Sequence, residues 1–248
     1  MNITTRWIAS LFLLACFPSE IAPAEGFSVG EDPVGIQTLA PLVKRLVQTV
    51  VSIKATKETV MAYPTIDPGS GFPDEPLRVE MTGAGVVVEA GLGLIVTSNH
   101  VVKSADTILV SLVDGRQFDA TITVADEYSD LAVLRIPASV LTAGRIGRSV
   151  EAEPGDFVIA IGDPLGLGHS VSFGMISALH RTWPGISYRD LIQTDVLLDR
   201  GSSGGPLLNL RGEIIGIVSA RIGETAIERS FGFAVPSAAI DRLLAQLP

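Results

Sequence analysis

Two sets of short apolar runs, rich in β-branched residues and bounded by turn-forming residues, constrain the fold more than any other feature of this chain. The first set lies within about 49–137 and the second within about 155–235, with a less periodic segment between them. Such runs, separated by Gly, Pro, Asn or Asp, are typical of antiparallel strands. A segment from Thr56 to Glu80 with four prolines interrupts the first set and predicts a long exposed loop. The sequence therefore predicts two all-β halves.

Helical periodicity flanks this pattern at both ends. Thr38 and Pro41 suit the cap and the first turn of an N-terminal helix. Ser237 precedes the second helical pattern, and we expect it to cap a helix over 237–247. The apolar face of the first helix would comprise Ile36, Leu39, Val43, Leu46 and Val47, and that of the second Ile240, Leu243, Leu244 and Leu247.

The N-terminus has the features of an export signal. Arg6 is followed by an apolar stretch over 7–17 that is too short to span a bilayer, and the small residues up to Ala24 suit cleavage. We therefore expect a signal peptide over 1–24 and a mature domain over 25–248. That domain would lie in the periplasm or outside the cell.

The single cysteine, Cys16, leaves a second interpretation open. It ends the sequence LLAC, which is similar to a bacterial lipobox, so the protein could instead be lipid-anchored through Cys16. In both cases the mature domain has no cysteine pair, and its core must stabilise it without disulfides. Thiol nucleophiles and cysteine-based metal sites are excluded as well, and we expect no metal and no cofactor.

The charge of the chain argues against one class of partner. The formal net charge is −9 and no basic run occurs. Binding of the phosphate backbone requires clustered Lys and Arg. We therefore expect no nucleic-acid partner.

A serine in the sequence DRGSSGGP is the first candidate for chemistry. Ser203 lies in a G-x-S-x-G pattern, which also occurs at the nucleophile elbow of α/β-hydrolases. That fold requires a histidine after the serine and alternating strands and helices. The three histidines, His100, His169 and His180, all precede Ser203. The α/β-hydrolase interpretation is therefore excluded.

The order histidine, aspartate, serine suits a catalytic triad divided between two β halves. His100 follows a predicted strand, and Asp130 begins the apolar run DLAVLRI, where its carboxylate would need a partner such as an imidazole N–H. We predict that Ser203 is the nucleophile, His100 its base and Asp130 the group that orients His100. The backbone N–H groups of Gly201 and Ser203 would form the oxyanion hole.

Other polar residues near these positions have simpler interpretations. Asp126 competes with Asp130 for the acid role, but its turn sequence ADEYS favours a capping role. His169 and His180 are interpreted as loop or surface residues. Ser202 is interpreted as a spacer whose side chain is not needed, because it lies between the two predicted N–H donors.

Several motifs together resemble the protease domain of the HtrA/DegP family of chymotrypsin-like serine proteases. They are TSNHVV, SDLAVLRI, AIGDPLGLGHSVSFGMISAL, IQTDVLLDRGSSGGPLLNLRGEIIGI and FGFAVPS, and the similarity extends from about Leu39 to the C-terminus. The resemblance implies an all-β fold of two perpendicular six-stranded barrels, here with an N-terminal and a C-terminal helix. It also assigns the triad to His100, Asp130 and Ser203.

The sequence departs from the family pattern in two respects. Ser202 stands where the family usually has asparagine. We expect a protease domain alone, without the PDZ domains that usually follow it, and so without regulation through them. The family also implies a homotrimer built through the N-terminal segment, for which Phe27 is the aromatic candidate.

The resemblance implies a small apolar specificity pocket. By position its walls would be Leu198, Ala220 and Arg221, with Leu197 at the base instead of an aspartate. We expect a serine endopeptidase that forms an acyl-enzyme and cleaves unfolded or damaged exported proteins after small or medium aliphatic residues. Two alternatives remain: a non-proteolytic, chaperone-like binding protein on the same fold, and an esterase or other acyl transferase.

Overall fold

The computed structural model describes residues 38–60, 76–163, 168–183, 187–222 and 231–247. Within them, helices α1 to α3 are Ala40–Leu46, Asn99–Val102 and Ser237–Leu244. Strands β1 to β7 are Val50–Val60, Pro76–Glu89, Leu94–Ser98, Thr107–Leu112, Gln117–Asp119, Thr121–Asp126 and Leu131–Arg135. Strands β8 to β14 are Arg145–Ile146, Phe157–Gly162, Ser170–Arg181, Leu191–Thr194, Pro206–Asn209, Glu213–Ile222 and Phe231–Pro236. The predicted signal peptide, Cys16 and Phe27 lie outside the described residues.

The first seven strands form one sheet in the order β5-β4-β1-β2-β3-β7-β6. The ends of this sheet are consecutive in the chain, since Ala120 alone separates β5 from β6. The Ala120 N–H donates to the carbonyl oxygen of Ile108 on β4. One bent stretch of chain therefore pairs with β4 through its first half and with β7 through its second.

The remaining strands form the second sheet, in the order β12-β9-β10-β11-β14-β13-β8. An additional pairing between β12 and β13 closes six of these strands into a barrel, and β8 joins its edge parallel to β13. The predicted all-β, chymotrypsin-like fold is thereby confirmed; the sheet of β1 to β7 is called the first barrel below, and the closed sheet the second barrel.

Alternation along the strands explains why they are apolar on both faces. In β7, Ala132 and Leu134 point into the first barrel, whereas Leu131 and Val133 belong to a core shared with the second half. Residues of β9 alternate in the same way between the interior of the second barrel and the shared core. Burying both faces excludes water from the seam between the barrels and stabilises their contact. The shared core therefore fixes the seam from which the candidate site is built.

The helices differ in detail from the prediction. Pro41 is in the first turn of α1 as expected, but Thr38 is not its N-cap, because that position belongs to Leu39; the Thr38 hydroxyl accepts a hydrogen bond of 3.1 Å from the Ala40 N–H. Ser237 begins α3 but makes no side-chain cap there, so the predicted cap is wrong. Its buried hydroxyl instead donates to the carbonyl of Gly147 and accepts from the N–H of Ser149, at 2.7 and 3.0 Å. Ser237 thus ties α3 to the segment before β9.

The hairpin of β1 and β2 is longer than the sequence predicted. Thr56 pairs with Glu80 and Glu58 with Arg78, so part of the predicted loop is strand. The Arg78 guanidinium and the Glu58 carboxylate also form an exposed cross-strand ion pair at 3.1 Å. Within the described residues, no helix is long and apolar enough to cross a membrane.

Candidate active site

The turn before β7 presents the carboxylate of Asp130 at the seam. Asp130 adopts φ of 56°, a left-handed conformation that aspartate tolerates better than most residues. Its carbonyl oxygen accepts a hydrogen bond of 2.7 Å from the Asn99 N–H at the start of α2. Its side chain is thereby aimed back toward α2, which carries His100.

Asp130 holds His100 through two contacts. Its Oδ1 accepts the backbone N–H of His100 at 2.9 Å, and its Oδ2 lies 2.6 Å from Nδ1 of the imidazole. The side chains are only partly exposed, at 40% for His100 and 20% for Asp130. A neutral imidazole that donates from Nδ1 leaves Nε2 as a proton acceptor.

A third residue, which the sequence analysis did not identify, completes this carboxylate's contacts. The Ser219 hydroxyl donates to Asp130 Oδ2 at 2.9 Å, across the seam from β13. The strand register shifts between Val218 and Ala220, and such irregularities can redirect a side chain. The sequence signal that could have identified Ser219 is a polar hydroxyl within the otherwise apolar run IIGIVSA.

The Ser203 loop is bonded to both barrels. The Ala84 N–H on β2 donates to the Ser203 carbonyl at 2.8 Å, and the Gly204 N–H donates to the Val218 carbonyl at 2.7 Å. Gly204 has φ of 84°, and a Cβ there would lie 2.2 Å from the Ala84 carbonyl oxygen. Only glycine fits this approach.

The Ser203 hydroxyl lies on the same side of the seam as Ser219. It donates to the Ser219 carbonyl at 3.3 Å and, among the described residues, makes no hydrogen bond to His100. Ser219 therefore contacts both ends of the predicted triad, through its hydroxyl to Asp130 and through its carbonyl to Ser203. The structure thus brings the three predicted triad residues to one seam. The Ser203 hydroxyl, however, bonds to the Ser219 carbonyl instead of to His100.

Gly201 and Ser203, the two predicted oxyanion donors, both accept backbone hydrogen bonds through their carbonyl oxygens. The Gly201 carbonyl accepts from the Asp163 N–H at 3.2 Å, and the Ser203 carbonyl from Ala84. Gly201 adopts φ of 93°. Within the described part of the chain, no acceptor takes the N–H of Gly201 or of Ser203.

The predicted pocket residues lie near one another but differ in environment. A Cβ on Gly232 would lie 2.6 Å from a methyl group of Leu198, and Gly232 pairs with Arg221 across β13 and β14. Ala220 pairs with the next residue of β14. Leu198 is only 2% exposed and belongs to the core of the second barrel. Leu197 is 73% exposed, so the interpretation that it forms the base of a pocket is wrong.

Asp126 has the capping role that the sequence favoured. Its carboxylate accepts the N–H groups of Tyr128 and Ser129 and the Ser129 hydroxyl, the last at 2.6 Å. Burial raises the pKa of Asp126, but these hydrogen bonds outweigh it and hold the pKa below its ordinary value. Asp126 thus stabilises the turn that leads to Asp130.

The other two histidines lie away from this arrangement. His180 is exposed and pairs with Asp190 at 2.7 Å. His169 is in a loop as predicted, yet its Nε2 is buried without a hydrogen-bond partner among the described residues. Burial lowers the pKa of His169, and the Asp163 carboxylate opposes this only in part. Over the same residues, no cluster of three metal-ligating side chains occurs.

Comparison with known proteins agrees with the two-barrel fold. A family model described as a trypsin-like peptidase domain matches residues 83–217. The periplasmic serine endoprotease DegP of Salmonella typhimurium is 34% identical over 100% of this chain and 59% of its own length. The periplasmic pH-dependent serine endoprotease DegQ of Escherichia coli is 35% identical over 96% of this chain and 52% of its own length.

Solved structures give the same result. The HtrA-type protease AlgW with a decapeptide is 35% identical, with a TM-score of 0.71, over 84% of this chain and 67% of that one. AlgW with a tripeptide gives the same TM-score at 33% identity, over 84% of this chain and 62% of that one. The fold and site define a trypsin-like peptidase domain. The chain belongs to the HtrA/DegP family of such peptidases, and it spans between about half and three fifths of the length of the curated relatives named above.

Proposed function

We propose that this protein is a serine endopeptidase with Ser203 as the nucleophile, His100 as the general base and acid, and Asp130 as the orienting carboxylate. The double contact of Asp130 to His100, at 2.9 and 2.6 Å, carries this proposal. It fixes the imidazole with Nε2 free to accept a proton. Family membership supports the same assignment.

The reaction follows from these positions. Nε2 of His100 takes the Ser203 proton as Oγ bonds to the carbonyl carbon of the scissile peptide. The carbonyl oxygen becomes an oxyanion and accepts the N–H groups of Gly201 and Ser203. His100 then gives its proton to the leaving amine as the C–N bond breaks. Water, deprotonated by His100, then bonds to the acyl carbon, and His100 returns the proton to Ser203 Oγ as the ester C–O bond breaks.

The Ser203 hydroxyl donates to the Ser219 carbonyl in the structure. The hydroxyl must rotate from the Ser219 carbonyl toward Nε2 of His100 before reaction. Catalytic hydrogen bonds are often long or misaligned without substrate and tighten in the Michaelis complex. The rotation costs one neutral hydrogen bond, about 1 kcal/mol.

The proposed substrates are unfolded or extended polypeptides, cut after small or medium aliphatic residues. The structures of AlgW with a decapeptide and with a tripeptide support polypeptides as the substrate class. The proposed pocket is walled by Leu198, Ala220 and Arg221, of which Leu198 is almost fully buried. Products sequenced from a peptide library, with Arg221→Val as the comparison, test this specificity. Cleavage confined to sites after Lys or Arg would contradict it.

The proposed location is outside the cytoplasm, because the relatives are named periplasmic. Sequencing of the mature N-terminus distinguishes export by signal-peptide cleavage from lipid anchoring. A start at Glu25 supports signal-peptide cleavage, whereas a lipid-modified Cys16 supports the anchored alternative.

The proposed assembly is the homotrimer that the family implies through the N-terminal segment, and an exposed apolar strip on the second barrel supports self-association. Phe157 on β9 and Phe173 on β10 have their ring centroids 5.3 Å apart and are half exposed. Val171 and Met175 extend the strip along β10, each 40% exposed. Exposed patches of this kind are typical of contact surfaces. We expect copies of this chain to bury this strip.

Degradation of unfolded casein tests the proposed activity. The wild type should fragment casein, while a folded Ser203→Ala variant should leave it intact. If the wild type leaves casein intact and both proteins suppress aggregation of an unfolded client equally, the chaperone-like function is supported instead. Hydrolysis of esters without any peptide cleavage would support the esterase alternative.

A further inference from the structure

Ser202 has contacts that a spacer would not need. It is 8% exposed, and its hydroxyl accepts a hydrogen bond of 3.1 Å from the Asp199 N–H. The Ser202 N–H donates in return to the Asp199 carbonyl at 2.9 Å. The two bonds close the turn over residues 199–202, immediately before the nucleophile.

The same residue is packed from behind by the end of β9. A Cβ on Gly162 would lie 2.7 Å from Ser202 Cα and 3.2 Å from its Oγ. The next residue, Asp163, donates its N–H to the Gly201 carbonyl. The Ser202 carbonyl accepts from the Gly205 N–H at 3.0 Å. The turn is thus held by its own hydroxyl on one side and by β9 on the other.

The position of this turn decides where two N–H groups point. Gly201 and Ser203 flank Ser202, and their N–H groups are the ones that no described acceptor takes. Gly201, with φ of 93°, has no Cβ to restrict rotation of its peptide groups. Nearby hydrogen bonds must therefore fix that orientation.

We propose that Ser202 is a positioning residue for the oxyanion hole, acting through its hydrogen bond to the Asp199 N–H. This inference rests on the proposed peptidase function. The hydroxyl does not touch substrate. It keeps the 199–202 turn closed, so that the Gly201 and Ser203 N–H groups converge on the carbonyl oxygen as it gains charge.

The test compares Ser202→Ala with Ser149→Ala as a matched control. Ser149 is also 8% exposed, and its hydroxyl accepts a backbone N–H, from Ala238 of α3 at 3.3 Å, instead of one in the Ser203 loop. Both variants lose one buried hydroxyl and should show similar falls in Tm. An internally quenched peptide with valine before the cleaved bond gives kcat and KM.

The expected result separates kcat from KM. Ser202→Ala should lower kcat about tenfold with KM within about twofold, less than the hundredfold or greater loss typical when an oxyanion donor is removed outright. Ser149→Ala should keep the wild-type kcat. Ser202→Asn, whose carboxamide oxygen can accept the Asp199 N–H, should restore most of the activity.

A second measurement probes the oxyanion hole itself. A valine boronic acid bonds through boron to Ser203 Oγ, the serine proton passes to His100, and the tetrahedral boronate anion occupies the hole. Ser202→Ala should bind this compound about tenfold more weakly, since its anion needs the same N–H groups as the transition state. The same compound with a hydrogen atom in place of the boronic acid group should bind equally to the wild type and to Ser202→Ala.

The outcomes distinguish this inference from the proposed function. An active wild type together with a folded Ser202→Ala variant of unchanged kcat and boronate affinity overturns the role of Ser202 alone. The same holds if Ser149→Ala loses as much kcat as Ser202→Ala. A folded wild type with neither turnover nor boronate binding overturns the proposed peptidase, and this inference with it.

Discussion

The hydroxyl of Ser219 on β13 donates a hydrogen bond of 2.9 Å to Oδ2 of Asp130, the same oxygen that lies 2.6 Å from Nδ1 of His100. One carboxylate oxygen thus joins the first barrel's histidine to the second barrel. Because this contact crosses the seam, it fixes the imidazole relative to the Ser203 loop as well as to Asp130.

Ser219→Ala should therefore lower kcat without abolishing activity. Removing a hydrogen bond to a charged group costs about 1.5–3 kcal/mol, which corresponds to a fall of roughly tenfold to a hundredfold if it is expressed in the transition state. Asp130→Asn should lower kcat about 10⁴-fold, because an asparagine amide that donates to Nδ1 favours the imidazole tautomer whose Nε2 carries the proton and cannot act as base. Steady-state kinetics measure both, and Ser219→Thr, which keeps the hydroxyl, should retain most activity. Equal activity of Ser219→Ala and wild type would contradict this role.

Gly204 and Gly155 offer a matched test of the loop's packing. Both have positive φ, 84° and 99°, but a Cβ on Gly204 meets the Ala84 carbonyl at 2.2 Å, whereas one on Gly155 meets nothing within 4 Å. Gly155→Ala should cost about 1–2 kcal/mol from backbone strain alone. Gly204→Ala should cost about 4 kcal/mol or more, lowering Tm by roughly 10 °C. Thermal unfolding that gives equal losses would contradict the observed packing.

His169 should make the fold sensitive to acid. Burial lowers the pKa of His169 in the folded protein, with Asp163 opposing in part. In the unfolded chain the imidazole of His169 has a pKa of about 6.5, so as pH falls the unfolded chain binds a proton there before the folded protein does. The contribution of neutral His169 to the free energy of unfolding is therefore complete above the unfolded-state pKa, and it is lost as pH falls from there through the folded-state pKa.

Urea unfolding at pH 7.5 and at pH 5 measures this effect. His169→Gln should lose less stability between the two values than the wild type. His180→Gln, at an exposed histidine, keeps His169 and should lose as much as the wild type. If His169→Gln loses as much free energy of unfolding between the two pH values as the wild type, another group is responsible.

The apolar strip predicts self-association. Replacing both Phe157 and Phe173 with serine should shift the mass measured by light scattering from a trimer toward a monomer, because the contact loses its aromatic centre. Leu92→Ser is the control, since Leu92 is 57% exposed on the first barrel outside the strip. A wild type that is monomeric at every concentration would contradict the proposed assembly.

Much of the architecture was predictable because strand signals are local. β-branched runs with turn residues between them correspond to most of the strands, and the apolar faces at both ends correspond to α1 and α3. The extension of β1 beyond Thr56 was missed because prolines dominate the composition of that segment. Strand pairing there depends on the partner strand, which local sequence does not contain.

Parts of the site were not predictable because they depend on contacts across the seam. Ser219 resembles an ordinary strand residue until the register shift places it against Asp130. Ser202 was interpreted from its position between two donors, whereas its burial and its bond to Asp199 follow from the folded turn. Ser237 has a capping sequence, but its hydroxyl finds partners distant in the chain.

Covalent labelling at Ser203 tests the central claim most directly. A fluorophosphonate probe, which forms a phosphonyl ester with a serine activated by a neighbouring base, should label the folded wild type once, on the peptide that contains Ser203. Ser203→Ala should not be labelled, and His100→Ala only very slowly. A folded wild type that remains unlabelled, or that is labelled at another residue, would contradict the proposed mechanism.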